Sequence, residues 1–301
     1  MATDLLSIND LSDAEIQSTL DLGAAYRART DHSTPLAGRS IALLFEKPSL
    51  RTKVSFEVAV HELGGNAIYL SRDEVGLDSR EPTEDVAHVL ERWVAAIVAR
   101  VNHHASLLRL ADAAAVPIVN ALSDVEHPCQ ALADLMTIRQ HKGHLDGLKV
   151  AHVGDANNCA LSLGLGCAAT GTQFAVASPA GYVFSDADVA AITARGAAPQ
   201  LSSDPVEAVS DADVIYTDVW TSMGQEEEIG ARQSAFHAFQ VNEALLAHAK
   251  PGALVMHPMP VHYGEEMPHG MLSHPQSVAY DQAENRLHAQ KAVLRLLIAG
   301  E

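Results

Sequence analysis

In the stretch LFEKPSLRTKVSFE (44–57), Lys47, Arg51 and Lys53 fall within seven residues of a chain whose formal charge is −18. Most clusters of this kind are solvated turns. The setting here favours anion recognition. An apolar run ends at Phe45, a loop carries Pro48, and a helix begins near Ser49. The first N–H groups of a helix have no intrahelical acceptor, and the helix dipole adds positive potential there. With the hydroxyls of Ser49 and Thr52 and the planar fork of Arg51, that helix start forms a cradle for phosphate. The G-x-x-x-x-G-K-[ST] pattern is absent, so the cradle is not a Walker loop.

Other chemistry-bearing residues fall where further apolar runs stop. Arg100 follows AAIVA (95–99). His127 and Gln130, one helical turn apart, follow PIVNA (117–121) and a short loop. In an open parallel sheet, ligands bind at the carboxyl ends of the strands. A lone histidine is more often structural than catalytic, but a His/Gln pair at such a mouth is better than chance.

Elements able to position these residues alternate along the chain. Ser12 and Glu15 make a capping box for a helix running towards Arg29. SIALLF (40–45) reads as a buried strand. RTKVSFEVAVHEL (51–63) reads as a helix with Val54, Val58 and Leu63 near helical spacing, closed by Gly64 and Gly65. NAIYL, AAIVA and PIVNA follow as short buried strands, an order that argues for a parallel sheet covered by helices. After a helix over 127–142 a second set begins: KVAHVG (149–154), QFAVA (173–177), DVIYTD (213–218) and ALVMH (253–257). A long amphipathic helix over 283–300 closes the chain. The expected fold class is therefore α/β, with two doubly wound parallel-sheet domains of similar size and a boundary within 128–148.

Composition narrows the function. The chain has 301 residues, 48% hydrophobic and 19% charged, with 38 acidic against 20 basic residues. A nucleic-acid surface needs an extended basic face, which this balance disfavours. The N-terminus lacks a basic segment followed by an apolar one, and no run approaches the roughly 20 apolar residues of a membrane span. Three irregularly spaced cysteines fit reduced thiols better than a disulfide framework. A soluble cytoplasmic protein is expected. The 16 histidines include no H-E-x-x-H pattern and no G-x-G-x-x-G opens either half, so neither a metal site nor a dinucleotide site is expected.

SLRT with SFE following, HPCQALAD, GDANN, DVWTSMGQE, HPMP and ENRLHAQK occur in an order that resembles the ornithine carbamoyltransferases across nearly the whole chain. The resemblance implies transfer of the carbamoyl group of carbamoyl phosphate to the side-chain amine of L-ornithine, giving citrulline and phosphate, with no metal and no cofactor. It places carbamoyl phosphate on Ser49, Leu50, Arg51, Thr52, Arg100, His127, Gln130 and Arg286. Thr52, Arg100 and His127 would polarise the carbonyl, Gln130 would hold the carbamoyl nitrogen, and Arg286 would reach the reaction centre. Arg51 and His257 complete the expected catalytic set. Asn158, Asp218, Ser222, Met223, Pro258 and Met259 match ornithine-binding positions. The implied domains are 1–135 with the C-terminal helix 280–301 packed back on it, for carbamoyl phosphate, and 136–279, for ornithine. A homotrimer or a multiple of trimers is implied, with part of 72–93 reaching a neighbouring subunit's site. PTED (82–85) also reads as a helix start with Thr83 as cap.

Aspartate is a poor acceptor for this chain. GDANNCALSL (154–163) and DVWTSMGQEEEIG (218–230) hold no Arg or Lys, and a desolvated second carboxylate without a cation is costly. Other departures leave alternatives open. His257-Pro258-Met259-Pro260 stands where the family has His-Cys-Leu-Pro, Lys53 replaces a common Arg, and Leu161 occupies a frequently polar position. Another acceptor (putrescine or an N-acylated ornithine) and a non-catalytic, ligand-binding member of the family are the competing readings.

Overall fold

The computed structural model describes residues 2–222 and 224–300. Met223, one of the expected ornithine-binding residues, lies outside the described residues. The chain divides into two compact units, Met1–Met136 with Glu284–Glu301, and Thr137–Ala283.

The first unit holds β1 (Ser40–Phe45), β2 (Asn66–Ser71), β3 (Ala96–Arg100) and β4 (Ile118–Leu122), all parallel, in the order β2-β1-β3-β4. Helices α1 (Asp13–Arg27), α2 (Leu50–Glu62), α3 (Arg72–Val75), α4 (Thr83–Leu90) and α5 (His104–Ala113) connect them, and α6 (Pro128–Lys142) leads out of the unit. Strands β1 and β3 are buried almost throughout, which is why they read as unbroken apolar runs. Beside β4, the segment at Leu5 pairs with Val119 as an additional parallel bridge. The order reverses at β1 and β3, where Phe45 and Arg100 stand side by side at the last register position.

The Ser12/Glu15 capping box is formed, but α1 stops at Arg27, and Arg29 adopts a left-handed backbone. In α2 the buried face is Thr52, Phe56, Ala59 and Val60, whereas Val54 is exposed. The stripe expected through Val54 is thus corrected: positions 52, 56, 59, 60 and 63 follow the helical period and bring the large Phe56 ring inward. Burying a side chain of this kind contributes roughly 1.5–3 kcal/mol, scaling with apolar area, and the Phe56 ring offers more area than a valine. Thr83 is the first helical residue of α4 rather than its cap; Pro82 precedes it, and the Thr83 N–H donates to Asp78 Oδ1 at 3.2 Å.

The second unit holds β5 (Lys149–Val153), β6 (Gln173–Ala177), β7 (Gln200–Ser202), β8 (Val214–Tyr216) and β9 (Leu254–Met256), again all parallel, in the order β7-β6-β5-β8-β9. Its helices are α7 (Asn158–Ala169), α8 (Asp186–Arg195), α9 (Pro205–Val209), α10 (Ile229–Phe236) and α11 (Glu243–Leu246). The order reverses between β5 and β8. Ala151, Val153, Ile215, Trp220, Phe236 and Val255 belong to its core. The three-residue edge strand β7 escaped the sequence reading because it carries no run of apolar residues.

The closing helix, α12 (Ala279–Ala299), contributes its portion from Glu284 onward to the first unit. It starts four residues before the amphipathic run at 283 and one before the start at 280 that the resemblance implies. It also buries Gln282, Asn285, Arg286, Gln290 and Lys291, so it is not a simple amphipathic helix. Arg27 donates to Asn285 Oδ1 at 2.8 Å, and Lys291 pairs with Glu62 at 2.9 Å, which holds this helix on α1 and α2.

Candidate active site

In the first unit the expected residues gather at the carboxyl ends of the strands, where β1 and β3 diverge. Ser49 caps α2, its hydroxyl accepting the Thr52 N–H at 3.4 Å. Leu50, expected to act through its backbone, opens the helix with its side chain turned to solvent. Among the described residues the Arg51 side chain has no hydrogen bond or ion pair, and burial without an anion lowers its pKa from the ordinary guanidinium value. Lys53 is committed elsewhere: its ammonium lies 3.7 Å from the centroid of the Tyr69 ring and 4.0 Å from Glu57. Between Arg51 and Lys53, Arg51 is therefore the one left available to an anion at the helix start; Lys47, in the loop before it, is half-buried like Arg51.

Arg286 arrives from α12. Its Nη2 donates to Thr52 Oγ1 at 2.5 Å, with both residues buried. Arg100 ends β3 and is also buried. His127 precedes Pro128, the first residue of α6, a position proline tolerates because its missing N–H has no helical acceptor. Burial, then the charges of Arg286 and Arg100, hold the His127 pKa well below the ordinary imidazole value. The ring is neutral at physiological pH and so both donates and accepts. Gln130 is buried one turn further on. Its Nε2 donates to Asp134 Oδ1 at 2.8 Å, while Oε1 faces no donor among the described residues.

The loop before His127 is pinned by the N-terminal segment. Buried Glu126 accepts from Ser7 Oγ and from the Ile8 N–H, and Asn120 Nδ2 donates to the Leu6 carbonyl at 2.8 Å. The Cys129 thiol is fully buried, and that burial pushes its pKa up to about 12, which removes it as a nucleophile.

The second unit presents its candidates in the same topological position, after β5 and β8. Gly154, at φ 143°, turns the chain out of β5; a Cβ there would lie 3.5 Å from Thr217 Oγ1 and 3.9 Å from the Asp218 carbonyl oxygen. His152 Nε2 donates to the Asp155 carbonyl at 2.8 Å, and Thr217 Oγ1 to the Val153 carbonyl at 2.7 Å, so this turn is held from beneath. Asn157, which the sequence reading passed over, is the cap of α7. Its Oδ1 accepts from the N–H groups of Cys159 and Ala160, and its Nδ2 donates to Asp218 Oδ2 at 2.9 Å. Asn158 is the first residue of the helix, its Oδ1 accepting from the Cys159 N–H at 3.0 Å. Asp218 is buried, and its Oδ1 accepts the Val219 N–H at 2.8 Å. Ser222 follows in a turn, its N–H donating to Gln225 Oε1.

A cation does stand behind these motifs. Buried Arg232, from α10, donates to Asp155 Oδ2 at 2.7 Å, to the Trp220 carbonyl at 2.9 Å and to Glu228 Oε2 at 2.8 Å. It also lies over the Tyr182 ring. Its Nε and Nη1 donors are committed to these groups. Burial, only partly offset by Arg232, keeps the Asp155 carboxyl above its ordinary pKa.

After β9, His257 is fully buried. Its Nδ1 accepts the Met259 N–H at 2.8 Å, so Nε2 carries the proton and donates to buried Glu266 Oε1 at 3.1 Å. Both ring nitrogens of His257, expected in the catalytic set, are thus engaged within the fold, and through the Met259 N–H the ring is tied to the Pro258–Pro260 turn. Met259 holds a left-handed backbone at φ 60° there. His262, Glu265 and Glu266 are the one group of metal-type donors within 4.8 Å of one another among the described residues, and Glu266 Oε1 also takes the His262 N–H.

Two parallel sheets each gather polar and charged side chains at their carboxyl ends, arginines in the first and aspartates in the second. Family comparison gives the class. Residues 3–140 match the aspartate/ornithine carbamoyltransferase carbamoyl-P binding domain, and residues 146–297 match the Asp/Orn binding domain of the same enzymes. The chain belongs to the aspartate/ornithine carbamoyltransferase family. It is 50% identical to an ornithine carbamoyltransferase of Acidothermus cellulolyticus over 99% of this chain and 97% of that one. The solved ornithine carbamoyltransferase of Pyrococcus furiosus superposes with a TM-score of 0.95 at 46% identity, covering 100% and 98% of the two chains. That of Thermus thermophilus gives 0.91 at 43% identity, covering 99% of each.

Proposed function

We propose that the chain transfers the carbamoyl group of carbamoyl phosphate to the side-chain amine of L-ornithine, giving L-citrulline and phosphate. The observation that carries this reading is the polarity of the first unit's site. A cradle for an anion at Arg51 and the start of α2 is joined by the Arg286–Thr52 contact, a neutral His127 and an open buried acceptor at Gln130 Oε1. Carbamoyl phosphate has the matching pattern: a dianionic phosphate, a carbonyl oxygen that gains charge, and an N–H₂ donor.

The neutral amine of ornithine attacks the carbamoyl carbon, and the carbonyl oxygen takes up negative charge. Thr52, Arg100 and His127 donate to that oxygen, an arrangement in which one preorganised donor is worth about 10²–10³ in rate. The carbon–oxygen bond to phosphate then breaks, the phosphate leaves with its electron pair, and the nitrogen gives up a proton. Arg51, with the N–H groups of Leu50 and its neighbours and the Ser49 hydroxyl, takes the phosphate charge. Gln130 Oε1 accepts from the carbamoyl nitrogen and so fixes which face of the carbon is presented.

In the second unit Asp218 receives the α-ammonium of ornithine, Asn158 and the segment carrying Ser222 and Met223 serve the α-carboxylate end, and the Pro258–Met259 turn lies along the side chain. Arg232, neutralised by Asp155 and Glu228, leaves no cation for a second acceptor carboxylate, which supports ornithine over aspartate. The domains divide the work as carbamoyl phosphate half and acceptor half. The working form is a homotrimer or a multiple of trimers; exposed Leu50, Val54 and Trp93 supply apolar surface on the first unit for a second copy of the chain. Residence in the cytoplasm suits the three free, buried cysteines. Among the described residues no helix is long and apolar enough to cross a membrane.

Carbon-13 NMR tests the reading. Labelled carbamoyl phosphate incubated with ornithine should give a ureido carbon and one phosphate per citrulline. Phosphate release without a ureido carbon would replace transfer by hydrolysis, and no turnover would leave a ligand-binding protein.

A further inference from the structure

We infer that Asn157 is a positioning residue for the acceptor, fixing the carboxylate of Asp218 for an ammonium; this rests on the reading of Asp218 as the acceptor's partner. The carboxamide works at both ends. Its Oδ1 is the cap of α7, taking the N–H groups of Cys159 and Ala160 at 3.0 and 3.1 Å. Its Nδ2 reaches across to the loop after β8 and donates to Asp218 Oδ2 at 2.9 Å. The Val219 N–H holds Oδ1 of the same carboxylate at 2.8 Å. A carboxylate oxygen has two lone pairs, so one neutral donor on each oxygen orients the group and leaves one acceptor site per oxygen for an incoming ammonium. A cation in the place of Asn157 would orient Asp218 equally well but cancel its charge.

The two motifs at the point where the second sheet's order reverses are therefore coupled through one side chain. Residues 157 and 218 lie at the ends of β5 and β8, the neighbouring strands between which the crossovers diverge. The α7 cap also fixes the start of the helix on which Asn158 sits, so a single carboxamide sets the geometry of both proposed contacts to the amino-acid end of the acceptor.

Serine and aspartate both cap helices well, so Asn157→Ser and Asn157→Asp retain an oxygen for the α7 N–H groups while removing the donor to Asp218. Steady-state kinetics on the purified enzyme should show kcat/KM for ornithine down by about tenfold in Asn157→Ser, the scale of one lost hydrogen bond to a charged group, and by more in Asn157→Asp, where two carboxylates meet. In Asn157→Ser, KM for carbamoyl phosphate and the thermal midpoint should stay within error of wild type. In an Asp218→Asn background the Asn157→Ser loss should largely vanish, because both changes act on one contact.

Unchanged ornithine kinetics in Asn157→Ser, with Asp218→Asn impaired, would overturn the positioning role alone. A lower thermal midpoint, with both substrates affected equally, would reduce Asn157 to a helix cap and overturn it too. Unchanged ornithine kinetics in Asp218→Asn itself would remove the acceptor reading and the role of Asn157 with it.

Discussion

Arg232→Met isolates what the cation behind the acceptor loops contributes. The side chain is nearly isosteric, so packing against the Tyr182 ring largely survives. What disappears is a guanidinium bonded to Asp155, to the Trp220 carbonyl and to Glu228. The Glu228 contribution is small, because that carboxylate is 56% exposed and water replaces its partner. Asp155 decides the magnitude: its side chain is 13% exposed, and its loop is fastened by His152. Removing one partner of a buried pair costs about 3–5 kcal/mol. For a unit of this size each kcal/mol corresponds to about 2–4 °C, so the second unit's melting transition should fall by roughly 6–20 °C. Asp155→Asn should cost less, about 1 kcal/mol, since the amide oxygen still faces Nη1 and Arg232 keeps its other acceptors. The sign with pH follows from the carboxyl. In Arg232→Met the unpaired charge on Asp155 is penalised at pH 8 and is relieved as the group protonates, so the deficit should narrow towards pH 5. Differential scanning calorimetry at both pH values reads the whole pattern. A shift below 2 °C in Arg232→Met, or a larger loss in Asp155→Asn, would refute the reasoning.

Arg51→Ala should raise KM for carbamoyl phosphate by at least about 10²-fold, the scale of a charge-assisted bidentate contact, with no loss of thermal stability, because the guanidinium has no hydrogen-bond or ion-pair partner among the described residues. A normal KM in that variant would take the anion site away from α2. The chain should lose stability as pH falls below the ordinary imidazole range, since burial lowers the pKa of His127 and His152 and the unfolded chain binds the protons these rings refuse. Each such ring contributes a slope of about 1.4 kcal/mol per pH unit; melts between pH 7.5 and 5.5 measure it, and His152→Gln should flatten the curve. Ellman's reagent should find no reactive thiol in the native protein and three after unfolding, as Cys129, Cys159 and Cys167 are buried and the Cys129 thiol is raised to about 12. Rapid labelling of native protein would contradict the burial.

The parts of the site legible in the sequence are those built by neighbours in the chain. A strand end, a loop and a Ser cap put the anion cradle at 49–52, and the same local logic marked Arg100, His127 and Gln130. Contacts across large separations were legible only through the family resemblance, which brought Arg286 to the site of Thr52 from 234 residues away. The grip of Arg232 on Asp155, across 77 residues, was marked by nothing in the chain. The pair Asn157–Asn158 shows a subtler limit. Either asparagine could cap α7 by composition, and only the path of the chain out of Gly154 decides that Asn157 does. The expected stripe on α2 failed for a related reason. Val54 and Val58 fit a helical period as well as Phe56 does, and the sheet's position, which the sequence does not display, selects the face. In α12 the polar residues suggested a wet side, but several are buried on partners such as Arg27 and Glu62.

Acceptor choice is the most direct test of the account. The ratio of kcat/KM for ornithine to that for putrescine, N-acetylornithine and aspartate should be measured with saturating carbamoyl phosphate and identification of each ureido product by mass. Putrescine lacks the α-carboxylate, N-acetylornithine lacks the α-ammonium given to Asp218, and aspartate brings a side-chain carboxylate where the charge of Arg232 is already paired with Asp155 and Glu228. The account predicts ornithine ahead of each by at least about 10²-fold, two unmade contacts of roughly 1.5 kcal/mol apiece. Comparable turnover of putrescine or N-acetylornithine would contradict the role of the second unit's site, and turnover of aspartate would show that a cation reaches the acceptor after all.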